Sequence, residues 1–165
     1  MSEPISAALA TFITSHISIH VAATRADGIA TLVRALGCRI DPSAPARVRL
    51  LVARAQCAAL LEAVATSGRI AAVFNEPESH RTVQLKGGDA RVLAATPDDL
   101  AVRTPYVQAM ARRLTVFDTP EPFMHALLAS APDEVAVVDF TPAAAFTQTP
   151  GPRAGAPLAP DAPQP

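Results

Sequence analysis

The sequence predicts a small antiparallel β-barrel with flanking helices, an α+β fold in which strands dominate. Three observations carry this. Alternating apolar and polar runs recur along the chain, most clearly at residues 17–24. A double glycine, Gly87-Gly88, interrupts a long extended stretch and supplies the bend that a curling sheet needs. Helical stripes are confined to a few segments and do not follow every strand, as a doubly wound sheet would require.

Residues 4–13 have Ile5, Leu9 and Phe12 at helical spacing and predict a short helix. Residues 17–24 alternate as a half-buried strand, and the turn Ala26-Asp27-Gly28 returns the chain into a second strand over 30–40. Residues 41–46, with two prolines, form a loop before a third strand at 48–52. Between 54 and 66 the period changes: Cys57, Leu60, Leu61 and Val64 make an amphipathic stripe, with Gly68 just past its end. Residues 70–74 form a short strand, 75–79 a turn and 81–94 a long strand bent at the glycine pair. Thr96 and Asp98-Asp99 start a helix, with carboxylates at the positive end of its dipole. Pro105 is expected to kink or restart it, and Val107, Met110, Leu114 and Phe117 form its apolar stripe. A helix over 121–130 and a strand over 134–140 complete about six strands, in Greek-key-like order.

The length of 165 residues, half of them hydrophobic, suits one domain with a real core. The folded unit is expected over residues 1–146. Residues 147–165, rich in Pro and Ala and without apolar periodicity, are expected to form an extended or disordered tail. A formal net charge of −1 gives no broad basic field for nucleic acid or an anionic membrane. No apolar run approaches the roughly 18 residues of a membrane span. Ser2 and Glu3 stand where a signal peptide would carry basic residues, so a cytoplasmic location is expected. Two cysteines, Cys38 and Cys57, are too few for a disulfide scaffold or a zinc site and suit small buried hydrophobes.

Phosphate-binding loops, dinucleotide fingerprints and paired metal motifs are absent from the sequence. His16 and His20 are four apart, but on a strand that spacing holds them too far apart for one metal, and no metal site is expected. Ser79-His80 would point to opposite faces of a strand and cannot form a nucleophile–base pair there. No catalytic acid or base stands out. A basic and amidic set is more informative. Arg34 shares a strand face with Leu32, Leu36 and Cys38, and its fork suits phosphate or carboxylate. The alternative partner is Asp41, Asp89 or a carboxylate of another subunit. Thr82, Gln84 and Lys86, the only lysine, line one face of the later strand and offer a hydroxyl, an amide and an ammonium. The alternative there is an ordinary solvent-facing strand.

Four segments resemble the pyridoxamine 5′-phosphate oxidase-like proteins, which are FMN-binding split barrels. They are Phe12-Ile13, the run from Arg34 to Arg39, the run from Gly68 to Phe74, and the run from His80 to Gly87. The resemblance spans about residues 9–146 and rests on the order and spacing of these segments. It implies a split barrel, a homodimer with FMN at the subunit interface, and a small-molecule substrate. It places Arg34, with the adjoining Ala35 and Leu36, at the phosphate and Arg39 toward the substrate. Thr82, Gln84 and Lys86 fall along the flavin-contacting strand.

The departures are specific. The oxidases' Ser-Arg-Lys run after the third strand is replaced here, so that only Arg54 and Gln56 are available, in a shifted register. The chain has no Trp, and the oxidases' C-terminal Arg and Trp strand is missing. Pyridoxamine-phosphate oxidase activity proper is therefore not expected. The resemblance implies a divergent flavin-dependent oxidoreductase, or a non-catalytic module holding FMN, haem or the deazaflavin F420.

Overall fold

The computed structural model describes residues 5–42 and 46–158. Pro4 and Pro45, which belong to the predicted first helix and first loop, and residues 159–165 of the predicted tail lie outside them. The order of elements is α1 (Ala7–Ile13), β1 (Ser18–Thr24), β2 (Ala30–Arg34), β3 (Gly37–Asp41), β4 (Arg47–Ala53), α2 (Ala58–Ser67), β5 (Ile70–Asn75), β6 (Thr82–Gly87), β7 (Arg91–Ala94), α3 (Pro97–Leu114), α4 (Glu121–Leu127), β8 (Val135–Phe140) and β9 (Ala144–Thr147). The strands form two antiparallel sheets. One has the order β2-β1-β5-β6-β9, the other β3-β4-β8-β7. No strand pair joins them among the described residues, so the barrel is split.

The predicted strand over 30–40 divides because neighbouring amides are claimed by different sheets. The Ala35 N–H donates to the Ile19 carbonyl at 3.0 Å, and the Leu36 N–H to the Leu51 carbonyl at 2.7 Å. The long strand over 81–94 divides at the glycine pair, as its bend required: β6 ends at Gly87 and β7 begins at Arg91 in the other sheet. At Gly87 an added Cβ would lie 2.6 Å from the Phe140 ring and 2.9 Å from the Thr141 carbonyl, so only glycine lets the corner close.

Inward residues of the first sheet (Ile19, Val21, Ala72, Phe74, Val83, Leu85) meet those of the second, where β4 and β8 are buried along nearly their whole length. Each large side chain fully removed from water contributes about 1.5–3 kcal/mol. α2 packs on β1, β2 and β7, and ends where the sequence places it, with Gly68 at φ 65° as its left-handed cap. α3 packs on β3 and β4. It runs through Pro105 without a break, because Pro105 and Ala101, whose carbonyl loses its donor there, are both exposed. Its buried face is Asp99, Tyr106, Met110 and Ala111; of the predicted stripe Met110 is buried, Val107 and Leu114 pack partly buried against the core, and Phe117 is exposed.

The chain also continues past Phe146 in ordered form. β9 pairs with β6, and the following turn folds back so that the Leu158 N–H donates to the Ala145 carbonyl at 2.9 Å. Backbone hydrogen bonds and polar contacts from Gln148 and Thr149, with only Leu158 adding apolar packing, hold this return, so apolar periodicity gave no sign of it.

Candidate functional site

The outer face of the five-stranded sheet collects four of the sequence-predicted site residues, Arg34, Thr82, Gln84 and Lys86. Directly opposed residues on neighbouring strands share a face. The registers His20↔Arg34, His20↔Val73, Val73↔Gln84 and Gln84↔Phe146 therefore make one continuous row: Arg34, His20, Val73, Gln84, Phe146. The next row is Leu32, Ala22, Ala71, Lys86, Ala144. Small and apolar residues thus lie between a guanidinium at one side and an amide and an ammonium at the other.

Arg34, half-buried at the end of β2, donates through Nη1 to Ser18 Oγ at 3.0 Å. No carboxylate pairs with it among the described residues. Asp89, one of its predicted alternatives, instead binds Arg47 at 2.7 Å. Arg34 therefore keeps charge and donors in reserve on a face with few competing acceptors. Beside it, burial and then the Arg34 charge lower the His20 pKa below the ordinary imidazole value. Neutral imidazole next to guanidinium can bond an anion and take up its proton.

On β6 the three predicted residues differ in what they leave free. Thr82 is buried and committed: its Oγ1 accepts from Asn75 Nδ2 at 2.7 Å and donates to the His80 carbonyl at 2.8 Å. Gln84 is half-buried, and its Oε1 accepts from Gln148 Nε2 at 3.2 Å. Lys86 is exposed, with Nζ 4.9 Å from the centre of the Phe146 ring.

The remaining predicted residues lie elsewhere. Ala35 and Leu36 are core side chains at the corner between sheets. Arg39 belongs to the four-stranded sheet, where Arg39, Arg49, Asp139 and Arg91 form a cross-strand row. Arg39 Nε lies 3.1 Å from Asp99 Oδ1, and Arg49 binds both oxygens of that fully buried carboxylate at 2.7 and 2.8 Å. Burial alone would raise the Asp99 pKa, but Arg49, the Thr96 N–H and hydroxyl, and Arg39 together hold it far below the carboxylate range. Arg39 is thus part of a structural ion network. Arg54 and Gln56 are exposed on the single 3₁₀ turn after β4. Arg54 follows the end of β4 in the four-stranded sheet, whereas Arg34 closes β2 in the five-stranded one.

His20 and Ser18 were missed as site residues, although strand alternation alone puts both on the face of Ala22 and Thr24. Gln148 was missed because it lies in the predicted tail. Other sequence candidates dissolve. Ser79 Oγ donates to Glu76 at 2.5 Å in the turn, not to a histidine. Cys38 and Cys57 are free and buried, and burial pushes the Cys57 thiol up to about 11 against the opposing Arg54 charge. No group of three metal-ligating side chains occurs among the described residues.

At one end of the same face lies a groove of about 510 Å³, bordered by Ala22, Thr24, Ala30, Arg69, Lys86 and Gly88. Taken together, the face offers a guanidinium for an anion, an amide edge for a heteroaromatic ring and small side chains between them. Among the described residues on this face, no carboxylate stands ready for general acid–base work.

A crystal structure of a HupZ variant from Group A Streptococcus superimposes with a TM-score of 0.50 at 13% identity, covering 87% of this chain and 98% of that one. The fold is the split barrel. At this identity the likeness is one of fold alone. An F420 reductase aligns with a TM-score of 0.49 at 12% identity, covering 82% of this chain and 93% of that one. A pyridoxamine 5′-phosphate oxidase-related, FMN binding protein from Nostoc punctiforme aligns at 0.48 and 13% identity, covering 88% and 83%. No protein-family model and no curated relative matches the sequence. Among the described residues, no helix is long and apolar enough to cross a membrane.

Proposed function

We propose that this split barrel binds FMN on the outer face of its five-stranded sheet, at the interface of a homodimer, and acts as a flavin-dependent oxidoreductase on a small molecule. The observation that carries this reading is Arg34: a half-buried guanidinium with no carboxylate partner among the described residues, in line with Gln84 across the sheet. The donor set fits the cofactor's two polar ends. Arg34 suits the phosphate, with Arg54 after β4 as a second candidate, and the Gln84 amide can donate to and accept from a ring edge. Bound FMN would supply the hydride and electron chemistry, while the chain binds and orients it. Leu32, on the same face, is 65% exposed, and Ile29, in the turn before β2, is 59% exposed. Both supply apolar surface that a second copy would cover.

The test is an FMN titration of the purified chain, followed by flavin fluorescence and thermal shift. Arg34→Ala is expected to weaken binding roughly ten- to hundred-fold, the loss of one charge-assisted phosphate contact. A colourless protein with no thermal response to FMN overturns the reading, and the absorbance of any co-purifying chromophore distinguishes flavin from F420 or haem. Reduction of the bound flavin by NADH or NADPH marks an oxidoreductase. Bound flavin that no reductant turns over marks a storage or sensing module. Light scattering reports the dimer.

A further inference from the structure

We infer that the groove at the Lys86 end of the sheet binds a small aromatic carboxylate, at a position separate from the Arg34 anion site. Arg34 and Lys86 lie on strands three spacings apart, roughly 14 Å. Their side chains also diverge, Arg34 toward Ser18 and Lys86 toward Phe146. One phosphate therefore cannot engage both, and Lys86 is left with a different task.

Its neighbour in that task is Arg69. The pairs Ile70↔Gly87 and Ala71↔Lys86 put Arg69 on the same face as Ala71, beside Gly88 and diagonal to Lys86. Neither cation has a carboxylate partner among the described residues, whereas Arg25, Arg39, Arg47, Arg49, Arg91 and Arg113 all do. Ala22 and Ala71, directly paired on β1 and β5, give the groove a floor of two methyl groups. Such a floor accepts the face of a planar ring, and Arg69 and Lys86, both lining the groove, can accept a carboxylate there once the Lys86 ammonium leaves the Phe146 ring.

Gly88 completes the case. It is not among the positive-φ glycines, and a Cβ added there would meet nothing within 4 Å. Neither the backbone nor internal packing asks for glycine, and its bare Cα leaves the groove wall open. Gly87, one residue earlier, is required by the corner.

As a binding site the groove stands by itself; as a substrate site it rests on the flavin reading. The experiment titrates the full chain with benzoate, and with benzamide as the neutral isostere, by NMR shift perturbation, first without and then with FMN. Benzoate is expected to bind about tenfold or more tightly than benzamide. The double substitution Arg69→Ala and Lys86→Met is expected to remove that difference. Gly88→Leu should abolish binding of both probes without moving the thermal transition, and Arg34→Ala should leave benzoate affinity unchanged. Equal binding of the two probes, or full benzoate affinity in Gly88→Leu, overturns the inference. Benzoate binding in a chain that takes up no FMN upholds the groove and sinks the flavin reading; FMN binding with no benzoate response does the reverse.

Discussion

Arg34 and His20 stand directly opposite one another on β2 and β1, and the guanidinium adds to burial in keeping the imidazole neutral. The pair puts a permanent cation and a titratable one side by side on the proposed phosphate face.

The sign of its pH dependence follows. A bound phosphate favours imidazolium, so His20 has a higher pKa in the complex than in the free protein, and binding takes up a proton between the two values. Affinity for FMN is expected to gain from His20 as pH falls from about 8 toward 6, below the ordinary imidazole pKa. His20→Gln removes this gain while leaving the ligand's own titration unchanged. The ratio of mutant to wild-type Kd should therefore rise toward acid pH, and a constant ratio would place His20 away from the anion.

Asp99 is the fully buried anion that joins Arg39 and Arg49 to the start of α3, where it also completes the capping box with Thr96. Asp99→Asn leaves buried Arg49 only its longer contact to Asp139 at 3.4 Å, and is expected to cost about 3 kcal/mol in urea unfolding. Because the folded-state pKa of Asp99 is depressed, its contribution is complete above the unfolded carboxylate value near 4 and is lost as pH falls below it. Acid unfolding of the wild type should steepen in that window, and the variant should lack that component.

The two glycines between the sheets separate by substitution. Gly87→Ala drives a methyl into Phe140 and the Thr141 carbonyl, with an expected loss of about 1–3 kcal/mol. Gly88→Ala meets open space and should change the thermal midpoint little. Equal effects at both positions would contradict the corner geometry.

The return of the chain past β9 has a measurable anchor. The Thr82 N–H donates to Thr149 Oγ1 at 3.0 Å, while the Thr82 carbonyl accepts from the Gln148 N–H at 2.8 Å. Thr149→Val removes the acceptor and leaves a part-buried donor unmet, an expected loss of about 1–2 kcal/mol by urea unfolding. Hydrogen exchange at Thr82 should accelerate in the same variant.

Much of this was legible in the chain itself, because its signals are local. Alternation sets which face of β6 carries Thr82, Gln84 and Lys86, a helical period sets α2, and Gly68 and the Gly87-Gly88 pair mark the places where the backbone must turn. The division of residues 30–40 was not legible. Nothing in Arg34-Ala35-Leu36 says that one amide will bond to β1 and the next to β4, since both acceptors come from distant parts of the chain. That division sends Arg34 to the open face and Arg39 into the ion network. Two arginines expected on opposite faces of one strand thus end in different sheets. It also explains why the row from Arg34 through His20 to Gln84 could not be assembled from spacing: its members lie on three strands whose order is fixed only when the sheet forms.

The sequence by itself therefore determined the class of fold and the positions of its bends, both of which depend on neighbours a few residues apart. Tertiary structure alone decided which cations are spent on Asp99 and Asp139 and which remain free, because a charge's partner is chosen by packing across sheets and not by nearness along the chain.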